Sequence, residues 1–138
     1  MPVPFLSPVA SRAKRAVRPA APPPAVLIIL SNAPYEGDVT WNALRLAGSL
    51  IERGAPVRLF VMNDAIDLVR QGSAPGGAEF DLQAMLRGLL PRGARLKICT
   101  TCINRCGMGR GDLIPEAIMA TMADLAAWVV ESGRVLVF

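Results

Sequence analysis

A short run in which every side chain is apolar, AVLIIL at residues 25–30, limits the fold of this chain. A strand with one solvated face would alternate apolar and polar residues, so a continuous run is typical of a strand covered on both faces. Further runs of strand length follow at residues 56–62 and 94–98, with helical patterns between them. This alternation predicts an α/β fold, a doubly wound and mostly parallel sheet with helices on both faces.

Helix signals lie between these strands. Asp38 is placed to cap a helix that runs to about Arg53. Gly54 follows at the position where a left-handed residue ends many helices. Shorter helices are predicted over residues 64–70 and 80–90, and the strand at residues 94–98 leads into a loop that carries the cysteines.

The carboxyl-terminal part of the chain predicts one further helix and one further strand. Thr121 and Asp124 form a capping pair at the start of this helix, and Gly133 follows its end. Residues 116–121 fit either a short strand or the start of the helix, and residues 135–138 predict the last strand. The predicted apolar stripe of the helix consists of Met122, Leu125, Ala126, Val129 and Val130.

Residues 1–24 differ in composition from the rest of the chain. Seven prolines lie there among Ala, Ser and Arg, so we expect a disordered tail over 1–24 and a single domain over 25–138. The tail also shares the acid-free, Arg-rich character of organellar transit peptides.

The tail over 1–24 holds the whole net charge of +4, because the rest of the chain has 11 basic and 11 acidic residues. With no basic surface on the domain and no apolar run near the roughly 20 residues of a membrane span, neither nucleic acid nor membrane is an expected partner.

The three cysteines of the chain, Cys99, Cys102 and Cys106, lie within eight residues, and the chain has no histidine. A Cys–His catalytic pair and a Cys₂His₂ zinc site within this chain are therefore excluded. The remaining chemistries are redox exchange, carriage of sulfur and metal binding by sulfur. An odd number of clustered thiols without distant partners also indicates a reducing compartment.

The charges around these cysteines are all positive. Lys97, Arg105 and Arg110 are the only charged residues between positions 97 and 111. Positive charge near a thiol favours its thiolate and would equally favour a persulfide anion. The CxxC formed by Cys99 and Cys102 is typical of a redox pair or of half a metal site.

Six segments of the chain match a known pattern, in the same order. They are SNAPYEGD at 31–38, NALRLA at 42–47, VRLFVMNDA at 57–65, LQAMLRGL at 82–89, KICTTC at 97–102 and MADLAAWVVESGRVLVF at 122–138. With these segments, residues 25–138 resemble the DsrE/DsrF-like sulfur-relay family, and in particular its small stand-alone YchN-type members. The resemblance implies a sheet of about five strands, a homotrimer or homohexamer, and a cytoplasmic location.

The resemblance also implies roles for single residues. Cys99 matches the usual sulfur carrier of the family, and Cys102 matches its second cysteine. Tyr35 lies in a family loop near the site, and Asp64 matches a recurrent position after the second strand, where a helix-capping role is expected. Cys106 is a departure, because family members usually have a cysteine-free, glycine-rich stretch there.

The leading hypothesis is an oligomeric protein that relays sulfane sulfur between donor and acceptor proteins. Cys99 would carry the sulfur as a persulfide and Cys102 would assist by exchange or resolve the product, without a cofactor. Lys97 and Arg105 would stabilise the anion. Such a chain would be a sulfurtransferase, although carriage without turnover fits the residues equally well.

Two alternatives belong to other classes. Cys99, Cys102 and Cys106 together could hold zinc or an iron–sulfur cluster in a metal-binding or regulatory module, with a fourth ligand from Asp112 or another subunit. A ligand-binding or scaffold subunit with vestigial thiols is the third hypothesis. A nucleotide site is not indicated, because neither GxGxxG nor GxxxxGK[ST] occurs in the chain.

Overall fold

A computed structural model describes residues 2, 4 and 21–138, so most of the expected disordered tail over 1–24 lies outside the described residues. Five strands occur within them: β1 (Val26–Leu30), β2 (Val57–Val61), β3 (Arg95–Cys99), β4 (Met119–Ala120) and β5 (Arg134–Val137). They form one sheet in the order β4-β3-β2-β1-β5, and every neighbouring pair is parallel. The predicted α/β fold is therefore confirmed.

The helices connect these strands. They are α1 (Val39–Glu52), α2 (Leu82–Leu89), α3 (Thr100–Arg105) and α4 (Met122–Glu131), with 3₁₀ segments at Asn63–Val69 and Arg110–Asp112. No helix in the described part of the chain is long and apolar enough to cross a membrane. The segment 116–121 contains a strand, because β4 pairs with the end of β3. The predicted cysteine loop is wrong, since α3 begins directly after Cys99.

The two faces of the sheet are covered unequally. In β1, Val26, Ile28 and Leu30 belong to the larger core, which α1 and α2 cover. Leu27 points to the opposite face, as strand alternation requires. The smaller core on that face consists of Leu27, Phe60, Cys99, Ala120, Leu125 and Trp128. Helix α4 contributes its buried helical residues to this second core, and the partly buried Cys102 of α3 packs against it. Cys99, a candidate functional residue, is a member of this core.

The predicted apolar stripe of α4 is only partly correct. Leu125 is buried, and so is Trp128, which the predicted stripe omitted. Met122 and Val130 are instead 63% and 86% exposed, and Val137 of β5 is 67% exposed. A single helix contacts the sheet along a narrow line, so Leu125 and Trp128 are buried while much of the other apolar surface of α4 faces outward.

The end of α1 follows the sequence prediction more closely than its beginning. Gly54 adopts φ +81, and the amide hydrogens of Gly54 and Ala55 bond to the carbonyls of Ile51 and Leu50. This is the bonding pattern of a Schellman motif, in which glycine avoids the steric cost of a left-handed residue. Asp38 occupies the cap position at the start of α1, but its side chain makes no capping hydrogen bond.

The two ends of α4 have different local structures. The predicted capping pair is confirmed: the Asp124 amide donates to Thr121 Oγ1 at 3.2 Å, and the Thr121 amide donates to Asp124 Oδ2 at 2.7 Å. At the other end, Gly133 is not left-handed. A Cβ atom at Gly133 would overlap the Pro24 side chain, so glycine permits the segment before β1 to pass close by.

Candidate functional site

The segments that follow β1, β2 and β3 meet at the carboxyl edge of the sheet, because these strands are neighbours and parallel. Ser31 follows β1, Asn63 lies two residues after β2, and Cys99 is the last residue of β3. The Asn63 side-chain amide donates to Ser31 Oγ at 2.8 Å. The Asn63 backbone amide donates to Cys102 Sγ at 3.3 Å. Asn63 therefore joins the loop after β1 to the second cysteine of the CxxC.

The two cysteines of the CxxC lie against each other at the junction of β3 and α3. Cys99 is the N-cap residue of α3, and its Sγ accepts a hydrogen bond from the Cys102 backbone amide at 3.3 Å. The Cys102 side chain also lies close enough to Cys99 to help raise the pKa of the Cys99 thiol. No disulfide joins them, so the site holds two free cysteines linked by a backbone-to-sulfur hydrogen bond.

The environment of Cys99 raises its pKa. Cys99 is only 7% exposed, and this burial is the largest cause of the raised pKa of its thiol. The neighbouring Cys102 side chain acts in the same direction, while the backbone amides of Cys102 and Thr101 lower the pKa by smaller amounts. At neutral pH, Cys99 therefore keeps its proton, which is opposite to the thiolate-favouring environment expected for this segment.

The positive side chains that were expected to favour a thiolate lie elsewhere. Lys97 is on the same face of β3 as Cys99, but its Nζ sits 4.4 Å from the centre of the Trp128 ring. Its charge is not among the causes of the Cys99 pKa shift. Arg105 ends α3 and is exposed. Neither of the two has a hydrogen bond to a cysteine among the described contacts.

Tyr35 and Asp64 hold the surrounding segments and make no described hydrogen bond to the thiols. The Tyr35 hydroxyl accepts a hydrogen bond from the Leu82 amide at 3.1 Å and donates to the Phe80 carbonyl at 3.4 Å. It thereby ties the loop after β1 to the start of α2. Asp64 lies in the first turn of a 3₁₀ segment whose N-cap residue is Met62, so its expected capping role is not seen.

Asn63 and Ser31 are the site residues that the sequence prediction missed. Asn63 has φ +51 and is the only residue other than glycine with a positive φ in the described chain. Asparagine tolerates this conformation better than most residues. An asparagine shortly after a buried strand was the available signal, but its partner Ser31 lies 32 positions away in sequence.

The three cysteines do not form a metal site in this structure. Cys106 is exposed at the carboxyl end of α3, whereas Cys99 is buried and Cys102 is partly buried. Among the described residues, no three Cys, Asp or Glu side chains are grouped closely enough to hold a metal ion. Asp112, the suggested fourth ligand, accepts a hydrogen bond from the Gly109 amide instead. The geometry thus disagrees with the alternative in which all three thiols bind metal.

Comparison with known sequences identifies the family. A model of the DsrE/DsrF-like family matches residues 25–138. The chain belongs to the DsrE/DsrF-like family. Its relatives include Protein YchN of Escherichia coli K12, which is 33% identical over 115 residues that cover 82% of this chain and 97% of that protein. An uncharacterized protein of Methanopyrus kandleri is 32% identical over 113 residues, which cover 82% of this chain and 93% of the relative.

Solved structures agree with this assignment. The crystal structure of YchN from Escherichia coli superposes on this DsrE/DsrF-like chain with a TM-score of 0.76 and 32% identity, over 83% of this chain and 99% of the other. A protein of unknown function from Methanobacterium thermoautotrophicum gives a TM-score of 0.64 at 14% identity, over 83% and 99% of the two chains. The second likeness shows the shared fold alone.

Proposed function

We propose that this chain relays sulfane sulfur as a persulfide on the CxxC pair, Cys99 and Cys102. The proposal rests on two free cysteines, with the Cys102 amide donating to Cys99 Sγ, at the carboxyl edge of a parallel sheet. Sites of α/β proteins collect at this edge. Membership of the DsrE/DsrF-like family supports the same class of chemistry. The free state of all three thiols also suits a reducing compartment such as the cytoplasm.

The chemistry needs only thiols and a persulfide donor. A cysteine thiolate attacks the outer sulfur of the donor persulfide, the S–S bond of the donor breaks, and the donor leaves as a thiolate that takes up the proton. Cys102 can then exchange the outer sulfur with Cys99, or attack the inner sulfur of a Cys99 persulfide. The second route forms a Cys99–Cys102 disulfide and releases hydrosulfide, so electrons balance without another oxidant.

The test is sulfur loading of the reduced, full-length protein by glutathione persulfide, followed by mass measurement of the tryptic peptide 98–105, which holds Cys99 and Cys102 but not Cys106. We expect the added mass of sulfur on this peptide in the wild type and a strong loss of it in Cys99→Ser and Cys102→Ser. Thr101→Ser, a conservative change at an exposed position between the two cysteines, is the matched control and should load normally. No added sulfur on the wild type, or unchanged loading after Cys99→Ser, would overturn the proposal.

We also propose that the chain assembles with copies of itself, as a homotrimer or homohexamer. The exposed apolar side chains of α4 and β5 support this, since such surfaces commonly mark protein interfaces. Strand β5 is also an edge strand with one unpaired side. Sedimentation should show oligomers for the wild type and for the control Gly76→Asp, a loop change into open space. Val137→Asp should shift the protein toward monomer, and a monomeric wild type would refute the proposal.

A further inference from the structure

Cys106 is the one thiol outside the proposed CxxC pair. Its position at the end of α3 makes it a neighbour of Cys102. The Cys106 amide donates to the Cys102 carbonyl at 3.2 Å, so the helical turn continues from one cysteine to the other. Residues four apart on a helix share a face, with Cβ atoms about 6 Å apart. Cys106 therefore stands one turn beyond Cys102, on the same side of the helix.

The three sulfurs also form a gradient of exposure. Cys99 is buried, Cys102 is partly buried and Cys106 is exposed. Gly107 follows Cys106 in a left-handed conformation with φ +70, and no atom lies within 4 Å of the place where its Cβ would be. The surface beside Cys106 is therefore open to another protein, whereas a protein-bound persulfide could reach Cys99 only past the segments that bury it.

We propose that Cys106 is the entry thiol of a three-cysteine relay, in which sulfur passes from Cys106 to Cys102 and then to Cys99. This inference rests on the proposed sulfur-relay function. Helical spacing carries the first transfer, and the hydrogen-bonded contact of Cys102 with Cys99 carries the second. The relay would use a protein persulfide as its donor, because only Cys106 is exposed enough to meet one.

Each step in this relay is an exchange that balances by itself. The Cys106 thiolate attacks the outer sulfur of the donor persulfide, and the donor thiolate leaves. The Cys102 thiolate then attacks the outer sulfur of the Cys106 persulfide, and Cys106 leaves as a thiolate. In the last step the Cys99 sulfur attacks the outer sulfur of the Cys102 persulfide, and the departing Cys102 sulfur takes up the Cys99 proton. In every step one S–S bond forms and one breaks, so no oxidant or reductant is needed.

Trypsin separates the thiols for measurement, because it cuts after Lys97, Arg105 and Arg110. Peptide 98–105 then holds Cys99 and Cys102, and peptide 106–110 holds Cys106. The reduced, full-length protein is mixed with persulfidated serum albumin or with glutathione persulfide. It is alkylated after set times, and the added sulfur on each peptide is followed by mass spectrometry.

With the albumin donor, we expect sulfur first on peptide 106–110 and later on peptide 98–105. In Cys102→Ser the sulfur should remain on 106–110. In Cys106→Ser the loading of 98–105 from albumin should fall by about tenfold, since access limits thiol exchange, while loading from glutathione persulfide changes little. The double variant Cys106→Ser/Asn104→Cys keeps an exposed thiol on α3 but moves it to another face. Fragment ions of peptide 98–105 should therefore show no restored sulfur on Cys99 or Cys102, whatever the new cysteine itself carries.

Equal loading of peptide 98–105 from albumin in the wild type and in Cys106→Ser would overturn the inference and leave the CxxC relay intact. Rescue by the Asn104→Cys double variant would also overturn it, because position on the helix would then be irrelevant. Absence of sulfur from peptide 98–105 with both donors would overturn the proposed function, and the inference with it.

Discussion

Asn63 combines a strained backbone with the hydrogen bonds that connect the site, so its replacement gives a quantitative test. Asn63→Ala removes the hydrogen bond to Ser31 Oγ, which spans 2.8 Å, at a cost of about 1 kcal/mol. It also places alanine at φ +51, which costs about 1 kcal/mol more. The free energy of unfolding should therefore fall by about 2 kcal/mol, which corresponds to a Tm lower by about 8 °C for a domain of this size.

Two further variants separate these contributions. Ser31→Ala removes only the hydrogen bond and should lower the free energy of unfolding by about 1 kcal/mol. Asn63→Gly also loses the bond but relieves the left-handed strain, so it should be less destabilising than Asn63→Ala. In the double variant, Ser31→Ala should add almost nothing to Asn63→Ala, because the bond is already absent.

Urea unfolding followed by circular dichroism measures these differences, with all variants at one protein concentration because assembly would shift the midpoint. The strain argument is refuted if Asn63→Ala is no more destabilising than Ser31→Ala. The hydrogen-bond argument fails if the two single variants add fully in the double variant. Cys102 alkylation in parallel should change more in Asn63→Ala than in Ser31→Ala, since only the former alters the residue that donates to Cys102 Sγ.

Two other predictions concern the buried thiol and the end of α1. Burial raises the pKa of Cys99, so the folded state holds this proton more tightly than the unfolded state. The contribution of this thiol to stability is complete below about pH 8.5 and is lost as the pH rises through the raised pKa. Above that pH, the free energy of unfolding measured with urea should therefore decline less for Cys99→Ala than for the wild type. Equal declines would contradict this prediction. Gly54 has φ +81, so Gly54→Ala should lower the free energy of unfolding by about 1 kcal/mol. Gly76 is a loop glycine without positive φ, so the control Gly76→Ala should not lower it. Equal effects of the two substitutions would contradict the role given to backbone conformation.

The sheet could be predicted from the sequence because its signals are local. The run at residues 25–30 is apolar at each position, and a strand buried on both faces requires this. The signal for the end of α1 is equally local, since Gly54 supplies a backbone conformation that few other residues adopt. The predicted apolar stripe of α4 was only partly correct, because helical periodicity indicates only which residues share a face. It gives no information about how much of that face the sheet covers.

The site was only half predictable. Cys99 and Cys102 are conspicuous in sequence, but the direction of the Cys99 pKa shift depends on burial in a core formed by distant segments. Lys97 is close in sequence, yet its charge is placed over the Trp128 ring, which comes from a helix 31 positions later. Asn63 was missed because its role arises only from the order of the strands, which brings the ends of β2 and β3 side by side.

The positions of the two described chain ends, at opposite edges of the sheet, determine where a label should be attached to this protein. Pro24, which packs at the Gly133 position, precedes β1 and lies at the amino edge, about 16 Å from the cysteine edge for a strand of five residues. Phe138 lies at the other edge, where its carbonyl accepts a hydrogen bond from the Ser31 amide at 2.7 Å. A fluorophore or affinity handle joined after Phe138 would begin at the same edge as the thiols, three strands from Cys99, and a long flexible one could shield them from reagents. The same handle placed ahead of Pro24 would start on the far side of the sheet, so sulfur-transfer assays should use that attachment.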